Sequence, residues 1–468
     1  MQRNIYTISS KPIILMNRRS RMDGQHLIFK DNSRTGVGES FLGNTVLQYL
    51  QNKSMGDLTR SDMLIFPGDN EAYADDDRKV IETTQDKVVT SNLLGFFSNA
   101  KDAVSIVSRF DDTEDNYFLQ YMLCKVYGIT PLDYSSTMKP NQGFLDLLVL
   151  LFPSILNQAL AKGVYKEYRT KRHNNSALKG KIDVARHIKN NVPFTGDIAF
   201  TNREFSFNNP VLQLVHHTIQ FIKRHKQYHR ILNESHITHE NIKIIESIAS
   251  SAKGSTVKLI DFNKRNIVRH AYYKEYEQLQ KICIAILESQ SMLFTSNSKE
   301  KFYGVVLDGA WLFEEYVNTI IGDVFHHPNN TEGTGVNYLF SSGAGKIYPD
   351  FISKDSKDRI IVDAKYKPSR NISGADYHQI LSYMYRFDST KGYYIYPYSI
   401  MENERPLKRP MELLKGLNFG SKKESMKRDQ KITVTKLGLR VPIETENYHE
   451  FKSMMRMNEY ELREEMKI

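Results

Sequence analysis

A chain of 468 residues, 40% apolar and 25% charged, is too long for one simple core and has the composition of an ordinary soluble globular protein, so two or three domains are expected. The net charge of +10 and isoelectric point near 9.1 favour a polyanionic partner. Only Cys124 and Cys283 are present, each in apolar surroundings, which excludes a disulfide framework or a cysteine-based zinc site and suits a reducing compartment. Met1–Ile28 has no continuous apolar core of the signal-peptide kind. The longest apolar run, Phe144–Phe152, contains Asp146 and stops at Pro153, well short of a membrane span. A cytoplasmic location without membrane contact is expected.

In chain order, residues 1–145 read as an N-terminal β-rich or mixed α/β module with an acidic polar loop at Asp69–Asp77. Helical periodicity takes over from about Glu114, and residues 146–300 read as a helical region; Leu212, Val215, Ile219 and Ile222 share one helix face. Residues 161–190 carry nine Lys/Arg against two acids, Glu167 and Asp183. This basic block makes Arg169, Arg172, Lys179 and Lys181 candidates for nucleic-acid phosphate contact, with a solvated face as the alternative. Within it, Leu178-Lys179-Gly180-Lys181-Ile182-Asp183 reads either as a basic turn approaching a DNA backbone or as a structural staple. His216-His217 and His326-His327 lack a third partner at metal-ligand spacing and read as structural. From about 301 the chain returns to mixed α/β, with a charged, exposed insertion at 404–431, a short strand pair at Ile432–Ile443 and an amphipathic tail at Glu446–Met466. Gly343-Ala344-Gly345-Lys346 fails as a nucleotide-binding loop, because Phe340 replaces its first glycine and Ile347 its Ser/Thr.

The chemistry concentrates in residues 346–366. Lys346–Ser353 and Arg359–Tyr366 are β-rich runs around a charged, serine-containing break, a hairpin signal. A turn centred on Ser356-Lys357 places Asp350 opposite Asp363, with Cβ atoms about 5 Å apart, a pairing that like charges oppose unless a cation stands between them. Strand alternation puts Lys365 on the face of Asp363 and sends Ile360, Val362 and Ala364 the other way. The preceding helix buries a stripe of Phe313, Tyr316, Val317, Ile320 and Val324; Glu314 lies about 100° from its centre, and Glu315 is expected to face water. A following helix carries Gln379 and Tyr383, with Ser373 and Asp376 as a capping pair. Two acids and a lysine facing one point suggest metal-dependent phosphodiester cleavage; the alternative is a surface hairpin whose acids pair with Lys346, Lys354 or Arg359.

The order helix-Glu, Pro-Asp, Asp-x-Lys, then a helix with Gln resembles the PD-(D/E)xK nuclease superfamily, which implies a restriction-endonuclease-like C-terminal core over 301–468, a mixed sheet flanked by helices. The resemblance implies that Asp350, Asp363 and the carbonyl of Ala364 bind Mg²⁺ and that Glu314 completes the metal shell. It implies that Lys365 orients or deprotonates the attacking water and that Gln379 supports the site. A second block, Gly163–Arg169, Leu178–Asp183 and Asn202–Pro210, is similar to the McrC family, the endonuclease subunit of McrBC-type modification-dependent restriction systems. The family has Arg where this chain has Lys179, which keeps charge but loses bidentate geometry. This resemblance, over roughly 160–400, implies a double-stranded DNA substrate and a GTP-driven, McrB-like AAA+ hexamer as partner. It further implies that residues 1–145 dock on that ring and stimulate its hydrolysis, and that two copies meet at the cut. The alternative is a non-catalytic subunit that only docks on and stimulates the NTPase.

Overall fold

The computed structural model describes residues 14–16, 25–36, 41, 43–61, 63–66, 76–84, 87–99, 101–111, 116–128, 143–226, 228–233, 235–249, 255–292, 302–328, 335–399, 408–413 and 431–468. The protein is mixed α/β and divides into two compact units, residues 1–144 with 300–468, and residues 145–299.

The first unit joins segments that the sequence separates by more than 150 residues. Strand β12 (Tyr303–Asp308) lies between β7 (Leu93–Ser98), antiparallel, and β4 (Leu64–Phe66), parallel. These belong to a six-stranded sheet completed by β1 (Ile14–Met16), β2 (Gln25–Lys30) and β8 (Ala103–Val107), in the order β1-β2-β8-β7-β12-β4. Val305, Val306 and Leu307 are fully buried, as expected of a strand covered on both faces. Residues 1–144 and 300–468, expected as separate modules, therefore belong to one compact unit.

A second six-stranded sheet has the order β13 (Phe325–His326), β16 (Phe351–Ser353), β17 (Ile360–Ala364), β18 (Lys391–Ser399), β20 (Thr433–Val441) and β19 (Lys408–Glu412). β17, β18 and β20 run parallel, and the outer strands antiparallel. Ile432–Ile443, read as a strand pair, is one continuous strand, because β20 matches β18 from Lys391↔Thr433 to Ser399↔Val441. Part of the expected insertion forms the edge strand β19; residues 414–430, and 69–75 of the acidic loop, lie outside the described residues.

Two helices frame this sheet. In α10 (Gly309–Ile321), Asp308 caps the first turn by accepting from the amides of Ala310 (2.9 Å) and Trp311 (3.4 Å), and Leu312, Phe313, Tyr316, Val317 and Ile320 are buried. In α11 (Gly374–Arg386), Ile380, Tyr383 and Met384 pack with Ile361, Tyr394 and Tyr396 of the sheet. Helix α12 (Tyr448–Met466) ties α10 to α3 (Tyr117–Val126) through one buried carboxylate. Glu459 accepts from Tyr121 Oη (2.9 Å), Tyr316 Oη (2.8 Å) and Lys125 Nζ (2.8 Å).

The second unit is not purely helical. Besides α6 (Pro210–Arg224), α7 (His236–Ala249), α8 (Thr256–Arg265) and α9 (Lys274–Met292), it holds a sheet of β10 (Lys181–Ile182), β11 (Ile198–Ser206) and β9 (Glu167–Asn175). The polar run Glu167–Asn175 gives no alternating apolar signal, yet it pairs with β11 along its whole length, from Glu167↔Ser206 to Asn175↔Ile198. Gly180, at φ +133°, forms the turn into β10; an added Cβ would stand 2.3 Å from the Thr201 carbonyl oxygen, so this turn staples β10 to β11. Asn209 caps α6 by accepting from the Leu212 amide (3.0 Å), with Pro210 at the first helical position.

Replacing Glu459 removes three partners at once and leaves two buried tyrosine hydroxyls unpaired. Glu459→Ala is expected to cost about 3 kcal/mol, measured by urea unfolding; a loss below about 1 kcal/mol contradicts the locking role.

Candidate active site

Strands β16 and β17 pair Phe351 with Val362 and Ile352 with Ile361, so the register continues to Asp350 and Asp363, as the turn position predicts. Asp350 is clamped across the strands, its Oδ2 accepting from the Ala364 amide at 2.8 Å. Asp363 is completely buried, and its Oδ2 stands 2.7 Å from Lys365 Nζ, an ion pair by distance although neither oxygen of Asp363 receives a well-directed hydrogen bond. Lys365 Nζ also donates to Gln379 Oε1 (3.1 Å), and Gln379 Nε2 donates to Tyr383 Oη (2.8 Å), so α11 aims the lysine. Glu314 reaches the same place from α10, close enough for its charge to act on Asp350. Glu314, Asp350, Ala364 and Lys365 line one cleft of about 700 Å³.

The electrostatics follow from burial. Desolvation pushes the Glu314 carboxyl up to about 7, with further repulsion from Glu315 and Asp363. Burial, then the charges of Asp363 and Glu314, hold Asp350 well above the usual carboxylate range, and burial raises Asp363 despite Lys365. Burial pulls Lys365 down, but Asp363 and Asp350 outweigh it, so the lysine is a firmly protonated ammonium. Three disfavoured anions, all oxygen donors, fit a hard divalent cation. Among the described residues no three His, Cys, Asp or Glu side chains already stand together at metal-ligand spacing. In their place, the Lys365 ammonium neutralises Asp363.

Two expectations change. Glu315 does not simply face water: its Oε1 stands 3.3 Å from His327 Nε2. His327, read from sequence as part of a structural pair, stacks on Phe351 with ring centroids 4.7 Å apart and meets the Asp350 carbonyl oxygen through Nδ1 at 2.8 Å. Burial pulls its pKa down, but the bonds to Glu315 and the Asp350 carbonyl outweigh burial and raise it. His327 thus buttresses the backbone of Asp350, and only the register of β13 with β16 (His326↔Ile352) reveals this. Asp376 was also missed as a site residue: it binds Lys367 (2.8 Å) and lies 4.0 Å from Lys365 Nζ. The repeated lysine in Asp363-Ala364-Lys365-Tyr366-Lys367 is the signal that could have found it.

The basic candidates belong to the other unit, residues 145–299. Arg169, on β9, is paired with Glu167 at 3.1 Å, whereas Arg172, Lys179 and Lys181 are exposed and have no carboxylate within salt-bridge distance among the described residues.

With divalent cations chelated, Glu314 gives a pH test. Its folded-state pKa, about 7, exceeds the unperturbed 4.5, so the folded protein binds this proton more tightly than the unfolded chain. Stability therefore falls as pH rises from about 4.5 through about 7. Thermal unfolding of the parent should lose stability across that window relative to Glu314→Gln; parallel curves contradict the assignment.

The family described as McrBC 5-methylcytosine restriction system component matches residues 88–397, about two-thirds of the chain. No curated protein matches. Among solved structures, a chain of the Thermococcus gammatolerans half-complex of McrB AAA+ hexamers with bound McrC is similar at 14% identity and TM-score 0.44, covering 92% of this chain and 99% of that one. A chain of the Thermococcus gammatolerans McrBC complex solved by cryo-electron microscopy is similar at 14% identity and TM-score 0.33, covering 64% and 87%. Among the described residues no helix is long and apolar enough to cross a membrane. By the family match over residues 88–397, the chain belongs to the McrBC 5-methylcytosine restriction system component family.

Proposed function

We propose that this chain is the McrC-type, Mg²⁺-dependent endonuclease subunit of its restriction system, with a PD-(D/E)xK core over residues 301–468. The observation that carries the reading is that Glu314, Asp350 and Lys365 line one cleft, with the buried Asp363 paired to Lys365 directly behind it. A surface hairpin whose acids pair with Lys346, Lys354 or Arg359 is not supported, because Asp363 is buried against Lys365.

Asp350, Asp363, Glu314 and the Ala364 carbonyl would hold Mg²⁺, which when bound supplies Lewis acidity and a more acidic water. Lys365, held protonated, steadies the negative charge that develops on the phosphorane and orients the water, rather than removing its proton. Gln379 keeps the ammonium aimed, and His327 holds the backbone of Asp350.

The chain would cut double-stranded DNA when driven by a McrB-like AAA+ GTPase whose hydrolysis it stimulates, with a second copy supplying the opposite strand's cut. Docking on the ring, expected of residues 1–145, is better assigned to residues 145–299. Among the described residues of 1–144 no large apolar side chain is exposed, whereas Tyr168, Val184, Ile188, Val192, Phe194 and Phe205 are. Arg169, Arg172, Lys179 and Lys181 remain the DNA-backbone candidates of that unit.

In the assembled complex, Asp363→Ala should reduce DNA cutting at least about 100-fold while the partner's GTP hydrolysis is still stimulated; undiminished cutting refutes the nuclease reading and leaves the regulatory one. Lys179→Ala should weaken DNA binding more at low salt than at high salt. A loss independent of salt assigns Lys179 to the structure of the turn.

A further inference from the structure

The cleft that holds the carboxylates has a second wall, contributed by the N-terminal segment. Besides Glu314, Asp350 and Lys365, it is lined by Asn32, Lys79, Ser91 and Asn92. We propose that this wall grips the sugar–phosphate backbone of the strand being cut, with Lys79 as its phosphate contact. The inference rests on the nuclease reading and adds to it a substrate-positioning role for residues 1–144.

The wall is fixed to the catalytic elements at three points. The Asn92 carbonyl accepts from the Gly309 amide at 3.2 Å, and a Cβ on Gly309 would stand 2.9 Å from that oxygen and 2.8 Å from the Tyr366 ring, so only glycine permits the approach. Arg78 Nη1 donates to Asp308 Oδ2, the cap of α10, at 2.7 Å. Ser108 Oγ and Tyr366 Oη are 2.7 Å apart, and Arg109 donates to the Tyr366 carbonyl, directly after Lys365. The wall therefore keeps its place relative to Asp350 and Lys365 without any bound partner.

The charges of the cleft single out Lys79. Arg78 is held by Asp76 and Asp308, Arg109 by Asp31, Lys367 by Asp376 and Lys365 by Asp363. Among the described residues Lys79 pairs only with Glu82, at 3.9 Å, and both are about half exposed (46% and 54%), a pair that solvent screens almost completely. It is the loosely held cation of the lining, in a cleft whose acids would repel a phosphodiester unless a cation opposed them. Beside it, the Ser91 hydroxyl is buried with no hydrogen-bond partner among the described residues, and Asn32 and Asn92 add amides suited to sugar and phosphate oxygens. A volume of about 700 Å³ admits a phosphodiester with its adjoining sugars.

The test is binding of a fluorescein-labelled duplex oligonucleotide to the full chain with Ca²⁺ in place of Mg²⁺, titrated with salt. Lys79→Ala should weaken binding several-fold and lower the slope of log affinity against log salt by about 0.9. Lys87→Ala, an exposed lysine of the strand Lys87–Thr90 that does not line the cleft, should change neither. Unchanged affinity and slope for Lys79→Ala, an equal loss for Lys87→Ala, or no binding by the parent chain overturns the inference. Asp363→Ala, assayed alongside for cutting, separates the two claims. If it cuts like the parent, the nuclease reading fails; if it alone loses cutting while Lys79→Ala binds normally, only the second wall fails.

Discussion

The structure depends on one unfavourable confrontation. Asp350 and Asp363 face each other across adjacent strands, Glu314 adds a third carboxylate, and the Lys365 ammonium, helped by Lys367, offsets part of the repulsion. Burial without full compensation is why all three carboxyls titrate high. A fold keeps such an arrangement only if its surroundings leave the acids no retreat. The Ala364 amide fixes Asp350, the Gln379–Tyr383 pair fixes Lys365, and His327 braces the Asp350 carbonyl.

That rigidity extends outward through polar locks rather than through apolar packing alone. Asp308 both caps α10 and receives Arg78, so one carboxylate sets the start of the helix that carries Glu314 and anchors the N-terminal segment. Glu459 fixes the same helix from its other side through Tyr316. Residues 1–144 are thereby part of the unit that carries these acids, and their sheet takes β12 as an interior strand.

Local features were legible from the sequence. Two β-rich runs around a charged break set the hairpin register, because a turn position fixes every cross-strand pair and alternation fixes each face. The helical stripe of α10 followed from its 3.6-residue period, as did the buried face of α6. What stayed hidden depends on contacts between distant segments. Nothing local in Tyr303–Asp308 announces pairing with Leu93–Ser98, and the polar β9 is a strand only because β11 completes it. The positions of Glu315 and His327 likewise depend on β13 joining β16, a two-residue strand without a signal of its own.

If the buried acids form a site for a divalent cation, its binding can be read without any cutting. Electron paramagnetic resonance of the full chain titrated with Mn²⁺, a stand-in for Mg²⁺, measures the bound ion directly. A saturable site is expected in the parent, lost in Asp350→Asn and retained in Lys179→Ala. Equal Mn²⁺ binding by the parent and Asp350→Asn would contradict it.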